Sequence, residues 1–185
     1  LLYGAGRLVQ DTYVFVNAAP DAAGASIFGG PPEGQTSHTA YLGGMSAWCG
    51  NCHGDFHANN TKLIHPSGMA MGATIANTYN LYNGSDDLIG GAAGTAYLEA
   101  VPFEDPANTN FSTDGPTATS QVSSITCHRA HATSAPDAGR WDFSVSHLAD
   151  DGHESGSYAI PNPYSVYQRS LCNKCHNKDE GDAPF

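Results

Sequence analysis

Two stretches, "CGNCH" over 49–53 and "CNKCH" over 172–176, set a pair of cysteines three residues apart with a histidine directly after the second. On one helical turn, Cys49 and Cys52, or Cys172 and Cys175, can each add to a vinyl group of a single haem. His53 or His176 is then carried beneath the ring as an axial ligand of the iron. A zinc ribbon also uses two C-x-x-C pairs, but tetrahedral thiolate coordination gives no reason for a histidine to follow the second cysteine. With nine histidines in 185 residues, one falls at a given position about one time in twenty, yet here it follows a cysteine three times. A thioredoxin-like redox pair fits less well, since neither motif sits between a clear strand and a long amphipathic helix.

The third occurrence is Cys127–His128, inside "VSSITCHRAH" over 122–131. Counting back in the same frame, the first cysteine falls on Ser124, which cannot form a thioether. The stretch reads as a haem site with one covalent link, at Cys127, and His128 as its proximal ligand. The alternative is a lost site in which Cys127 is an ordinary buried thiol. The expected complement is three haem c groups, two with two thioethers and one with a single thioether.

Three haems saturated by histidine need three distal ligands, and six histidines remain: His38, His57, His65, His131, His147 and His153. His65 follows the first motif at loop distance, able to fold back over the same ring, with Pro66 stiffening its approach. His131 lies three residues past a proximal ligand, too close to cap the opposite face of that ring, and suits a neighbouring haem. His38 ends a Gly/Pro-rich loop ahead of the first motif and can reach another haem or another subunit. His57 repeats the logic of His131. In that order, His65, His131, His38 and His57 are the distal candidates. His147 and His153 read as solvated loop residues, and Met45, Met69 and Met71 as packing residues.

The stretches "GGMSAWCGNCHGDFH", "IHPSGMAMG", "VSSITCHRAH" with "GRWD", and "QRSLCNKCHNKD" cover about half of the chain. In this order the chain resembles the multihaem c-type cytochromes, especially the extracellular filament (nanowire) subunits of metal-reducing bacteria and archaea. In such proteins the middle motif usually has cysteine where Ser124 stands. The resemblance implies bis-histidine, low-spin haems in tunnelling contact along a continuous stack. It further implies homo-polymers in which one axial ligand can be donated between subunits, His38 being the candidate donor here. Redox proteins or extracellular acceptors are the expected partners. The function expected is electron transfer, without an enzymatic reaction, as the subunit of an electron-conducting filament. A soluble periplasmic triheme carrier is the alternative, followed by a haem enzyme with an open iron at the second site.

The elements that must position these motifs are short. Only 40% of residues are hydrophobic, against 21 Gly and 11 Pro, so turns interrupt the chain and little aliphatic core is available. The fold expected is mostly irregular and organised by haem, with short helices at the haem motifs, a few short β-strands and a small aliphatic core. One domain is expected over 1–185: an N-terminal strand and loop (1–44), haem one (45–72), a scaffold insertion (73–115), haem two (116–142), then loop and haem three (143–185). "RLVQDTYVFVNAA" near the start and "TAYLEAVPF" in the insertion have strand character, and Arg140 in "GRWD" could meet a haem propionate.

The formal charge of −11 repels nucleic acid and anionic membrane surfaces, and no run of apolar residues is long enough to span a bilayer. The first residues lack a charged and apolar leader pattern, so a mature form is expected if the protein is exported. Haem c attachment occurs outside the cytoplasm in prokaryotes, which leaves the periplasm, the cell surface or the exterior; the resemblance implies the exterior or cell surface, with the periplasm as the alternative.

Overall fold

The computed structural model describes residues 4–6, 8–10, 13–24, 38–53, 67–83, 89–107, 113–131, 133, 135–143 and 171–176. The strand expected near the N-terminus is divided into β1 (Leu8–Gln10) and β2 (Tyr13–Val14). They pair antiparallel, Leu8 opposite Val14 and Gln10 opposite Tyr13, with a register shift between. β3 (Asp21–Ala23) and β4 (Ala40–Gly43) form a second antiparallel pair, Ala22 facing Tyr41. β4 runs directly into α1 (Met45–Cys49) through Gly44, whose φ of 87° is a left-handed turn that suits glycine.

The insertion contains the longest helix described, α2 (Gly72–Leu81), where sequence patterning suggested mainly strand. No proline interrupts it, and Ile75, Ala76 and Tyr79 fall on one face, which packs inward. "TAYLEAVPF" does not become a strand. Residues 96–103 are buried at nearly every position, so they lack the alternation of a half-exposed strand, and Pro102 removes a ladder donor. A 3₁₀ turn at Ala93–Thr95 leads into this run.

The core is small and more aromatic than aliphatic. Tyr79, Tyr97, Phe103 and Trp141 pack with Leu98, Val101 and Leu171, and with Met71 and several alanines. Tyr79 is edge-to-face with Phe103 at 5.5 Å. Its buried hydroxyl donates to the Val101 carbonyl at 2.8 Å and accepts from Leu98 N at 3.2 Å. Tyrosine thus supplies apolar area and ties the loop 98–101 to α2, which an aliphatic residue could not do.

The remaining described elements are the short helix α3 (Ser124–Cys127) and 3₁₀ turns at Pro136–Ala138 and Leu171–Lys174. All three cysteine motifs therefore lie on short helical pieces, and the irregular architecture agrees with the expectation from composition. Single β-bridges stitch the rest: Glu104 with Tyr41 and with Gln121, Ala70 with Gln121, and His128 with Gly139. No helix among the described residues is long and apolar enough to cross a membrane.

Candidate functional site

The first and third motifs fold into the same turn. Cys52 N and His53 N both donate to the Cys49 carbonyl, at 3.1 and 3.0 Å, and Cys175 N and His176 N both donate to the Cys172 carbonyl, at 3.0 and 2.9 Å. Each turn draws two thiols and an imidazole into one local group. Cys52, His53 and Cys172 are exposed, while Cys49, Cys175 and His176 are partly buried. None of the five cysteines is in a disulfide. Two thiols and a histidine on one turn, with one side open and one against protein, fit covalent attachment of haem.

The middle motif is built differently around its histidine. Ser123 and Thr126 form a reciprocal capping box that starts α3, with Ser123 N donating to Thr126 Oγ1 at 2.9 Å. After Cys127 the chain becomes extended at His128 and pairs with Gly139: Arg129 N donates to the Ala138 carbonyl and Arg140 N to the Cys127 carbonyl. His128 Nδ1 lies 3.1 Å from the Asp137 carbonyl. A carbonyl only accepts, so Nδ1 carries the proton and Nε2 is the metal-binding nitrogen of that tautomer. Phe143 stands edge-on to the imidazole at 5.4 Å, itself edge-on to buried Trp141.

The turn that holds His128 is strained. Asp137 and Ala138 both have φ of 55°, a region that costs a non-glycine residue about 1–2 kcal/mol. Gly139 has no room for a side chain, since a Cβ there would meet the Trp141 carbonyl oxygen at 2.5 Å. Such strain persists where surrounding contacts impose it, and here it presents the Asp137 carbonyl to the His128 imidazole.

The three turns form a row with α3 in the middle. At the N-terminal end of α3, Ser124 N donates to Ser46 Oγ of α1 at 2.9 Å. The Ser124 Oγ is buried with no partner in full hydrogen-bonding geometry. Its hydroxyl is nevertheless close enough to the Cys49 thiol to draw that group's pKa down, against the burial that raises it. At the other end, Cys127 and Cys175 pack on the same core. Burial pushes the Cys127 thiol up to about 12, with the neighbouring Cys175 and Cys172 adding to the rise. Cys175 is pushed up to about 11, again mainly by burial. Thiols held this far from ionisation are poor nucleophiles for redox chemistry at neutral pH.

The second spacer residue of each C-x-x-C frame is a buried polar group that grips backbone, a role that motif spacing does not reveal. Asn51 Oδ1 accepts from Val16 N and Asn17 N, at 3.0 and 2.9 Å, and its Nδ2 donates to the Asn17 carbonyl. Thr126 closes the capping box. Lys174 is fully buried, and its Nζ donates to the carbonyls of Tyr79, Tyr82 and Ala96, at 2.8, 2.9 and 3.2 Å. The ammonium also lies 4.1 Å from the Tyr79 ring centroid. Burial lowers the Lys174 pKa to about 7, with Cys175 acting in the opposite direction. Glu104, the first of the two acids in "AVPFEDP", was also missed; acids directly after an apolar run were the available signal.

Among the distal candidates, His38 is buried and stacks on Tyr97, with ring centroids 3.6 Å apart and planes 9° from parallel. Its Nδ1 lies 3.1 Å from the Thr39 carbonyl. His131 is exposed, with φ of 67°. His57 and His65 lie outside the described residues, as do His147 and His153. Arg140 Nε donates to the Ile125 carbonyl at 2.6 Å, which pins this side chain along α3.

No family model matches the chain. It is 34% identical to the "C-type cytochrome OmcS" of Geobacter sulfurreducens, over 94% of this chain and 49% of that protein. Two solved structures share its fold at 32% identity, each over 96% of this chain and 54% of theirs. They are the outer membrane cytochrome S filament of G. sulfurreducens, with a TM-score of 0.73, and a second determination described as the OmcS nanowires, at 0.71. The chain spans about half the length of these relatives.

Proposed function

The chain is a homologue of the C-type cytochrome OmcS along nearly its whole length, and on that premise we propose that it transfers electrons through three covalently attached haem c groups. Cys49, Cys52 and His53 hold the first, Cys127 alone and His128 the second, and Cys172, Cys175 and His176 the third. The three distal histidines are drawn from His65, His131, His38 and His57, in that order of preference. The observation that carries the reading is the row of three Cys/His turns, since cofactors on adjoining turns of one small protein are close enough to exchange electrons.

Haem, when bound, supplies an iron that alternates between two oxidation states. The protein's own part is to hold and insulate. The Asp137 carbonyl fixes the His128 tautomer, the aromatic core packs against Cys127 and Cys175, and Lys174 and Asn51 lock two of the turns onto neighbouring backbone. Each ring would also bury apolar surface on a chain with a small core of its own, so haem is part of the fold.

We place the protein outside the cell or on its surface, as the subunit of an electron-conducting filament. The filament likeness at 32% identity supports this. So does the β1–β2 hairpin, which exposes Leu8, Tyr13, Val14 and Val16, an apolar edge suited to another copy. Donation of His38 between copies requires it to leave Tyr97.

Intact mass with a pyridine haemochrome assay tests the haem reading: three covalent haems are expected, and fewer than two would overturn it. Low-spin spectra unchanged by cyanide or carbon monoxide are expected of saturated irons. Electron microscopy of the native sample should show filaments; isolated particles at high concentration would leave a soluble periplasmic carrier.

A further inference from the structure

Glu104 is 1% exposed, and both its backbone and its side chain join the approaches to the first two motifs. On the backbone, Glu104 N donates to the Gln121 carbonyl at 3.0 Å and Gln121 N to the Glu104 carbonyl at 2.7 Å, while Asp105 N donates to the Tyr41 carbonyl at 2.8 Å. Tyr41 lies on β4, which leads into α1, and Gln121 precedes α3. On the side chain, one oxygen, Oε1, accepts from Met45 N at 2.8 Å and from Ser123 Oγ at 3.2 Å. Those are the first residue of α1 and the N-cap of α3.

Every one of these side-chain partners donates, as a carboxylate requires. A single oxygen thus ties the turn bearing Cys49, Cys52 and His53 to the turn bearing Cys127 and His128. We propose that Glu104 is the positioning residue that makes the first two haem-binding turns one unit and lowers the redox potential of the haems they carry. This rests on the reading of those turns as haem sites. A buried anion stabilises the more positive, ferric state of an iron nearby, and water cannot screen it there.

The test is spectroelectrochemical titration of the haem-loaded protein and its Glu104→Gln variant. Glutamine can accept from both donors with the charge removed. Transitions are assigned with a Cys172→Ala/Cys175→Ala variant that lacks the third haem. Two of three transitions in Glu104→Gln should move to higher potential while the third stays. A titration that superposes on the parent, at equal haem content, overturns the proposal. Should Glu104→Gln not accumulate with haem, Glu104→Met decides, since it removes the charge at similar length and leaves no buried amide. The same two transitions should then move to higher potential while the third stays, and superposition again overturns the idea. Parent protein without haem at the first two motifs would instead sink the haem reading itself, a separate outcome read by mass before any titration.

Discussion

Two buried charges hold the cysteine turns, and they do so with opposite chemistry. At the junction of the first two motifs, the Glu104 carboxylate receives hydrogen bonds from the starts of two short helices. At the third motif, the Lys174 ammonium gives hydrogen bonds to carbonyls at the end of α2 and in the adjoining turn. Two of these partners, Met45 N at the start of α1 and the Tyr79 carbonyl in the last turn of α2, are groups that a helix leaves without internal partners. The difference is in reach. Glu104 belongs to the scaffold and clamps two motifs at once, whereas Lys174 belongs to its motif and inserts into the scaffold alone. The first two turns are thus coupled to each other, and the third is coupled to α2.

Removing the third motif separates the two anchoring schemes most completely. Cys172→Ala/Cys175→Ala should lower the intact mass by one haem and leave the other two attached; loss of all three would show that the motifs do not load separately. Next, Lys174→Ala leaves three buried carbonyls without their donor and opens a cavity, at a cost of about 4 kcal/mol. Asn51→Ala, which removes three hydrogen bonds from the first turn, should cost about 2–3 kcal/mol. Denaturant midpoints of the haem-loaded proteins would rank them, and an equal or reversed order would refute the larger role of the charged anchor.

Titration gives the two charges opposite slopes. Burial raises the Glu104 pKa above its ordinary 4.5, so its contribution is full below that value and is lost as pH rises through the raised one. Burial lowers the Lys174 pKa from 10.5 to about 7. The folded state then holds fewer protons than the unfolded one between those limits, and stability from this group rises with pH across that window. Glu104→Gln should remove a falling slope on the acid side, and Lys174→Met a rising one on the alkaline side. Matched stability–pH curves with the parent would contradict both assignments.

The smallest change concerns Ser124. Ser124→Cys should add a second thioether to the middle haem without altering its axial ligands, seen as a haemochrome band shift at unchanged low-spin spectra. The structure adds a condition, because residue 124 lies beside Cys49. A new thiol there can pair with Cys49 before haem arrives, so reducing conditions should raise the yield of the fully loaded variant.

Much of the site was legible because its chemistry is local. C-x-x-C-H places three groups within about one helical turn whatever surrounds them, so the turns at Cys49–His53 and Cys172–His176 were readable from spacing. Ser124 was recognisable as a gap in the same frame. The strand tendency of 1–20 was realised as a hairpin, and that of 95–103 failed because the run is buried on all sides and contains Pro102. Asn51 and Lys174 were hidden among spacer positions, which in the motif chemistry carry no function.

By itself, the order of residues determined the C-x-x-C-H units, the paucity of aliphatic core and the net negative charge, since each depends on neighbours in sequence or on totals. Only the tertiary structure decided how the units meet. Met45 and Glu104 are 59 positions apart and Tyr79 and Lys174 are 95 apart, and no local periodicity encodes such pairs. They arise because buried donors and acceptors must find partners wherever the chain returns on itself. For the same reason Ser124 lies against Cys49, at the contact between two cysteine-bearing turns.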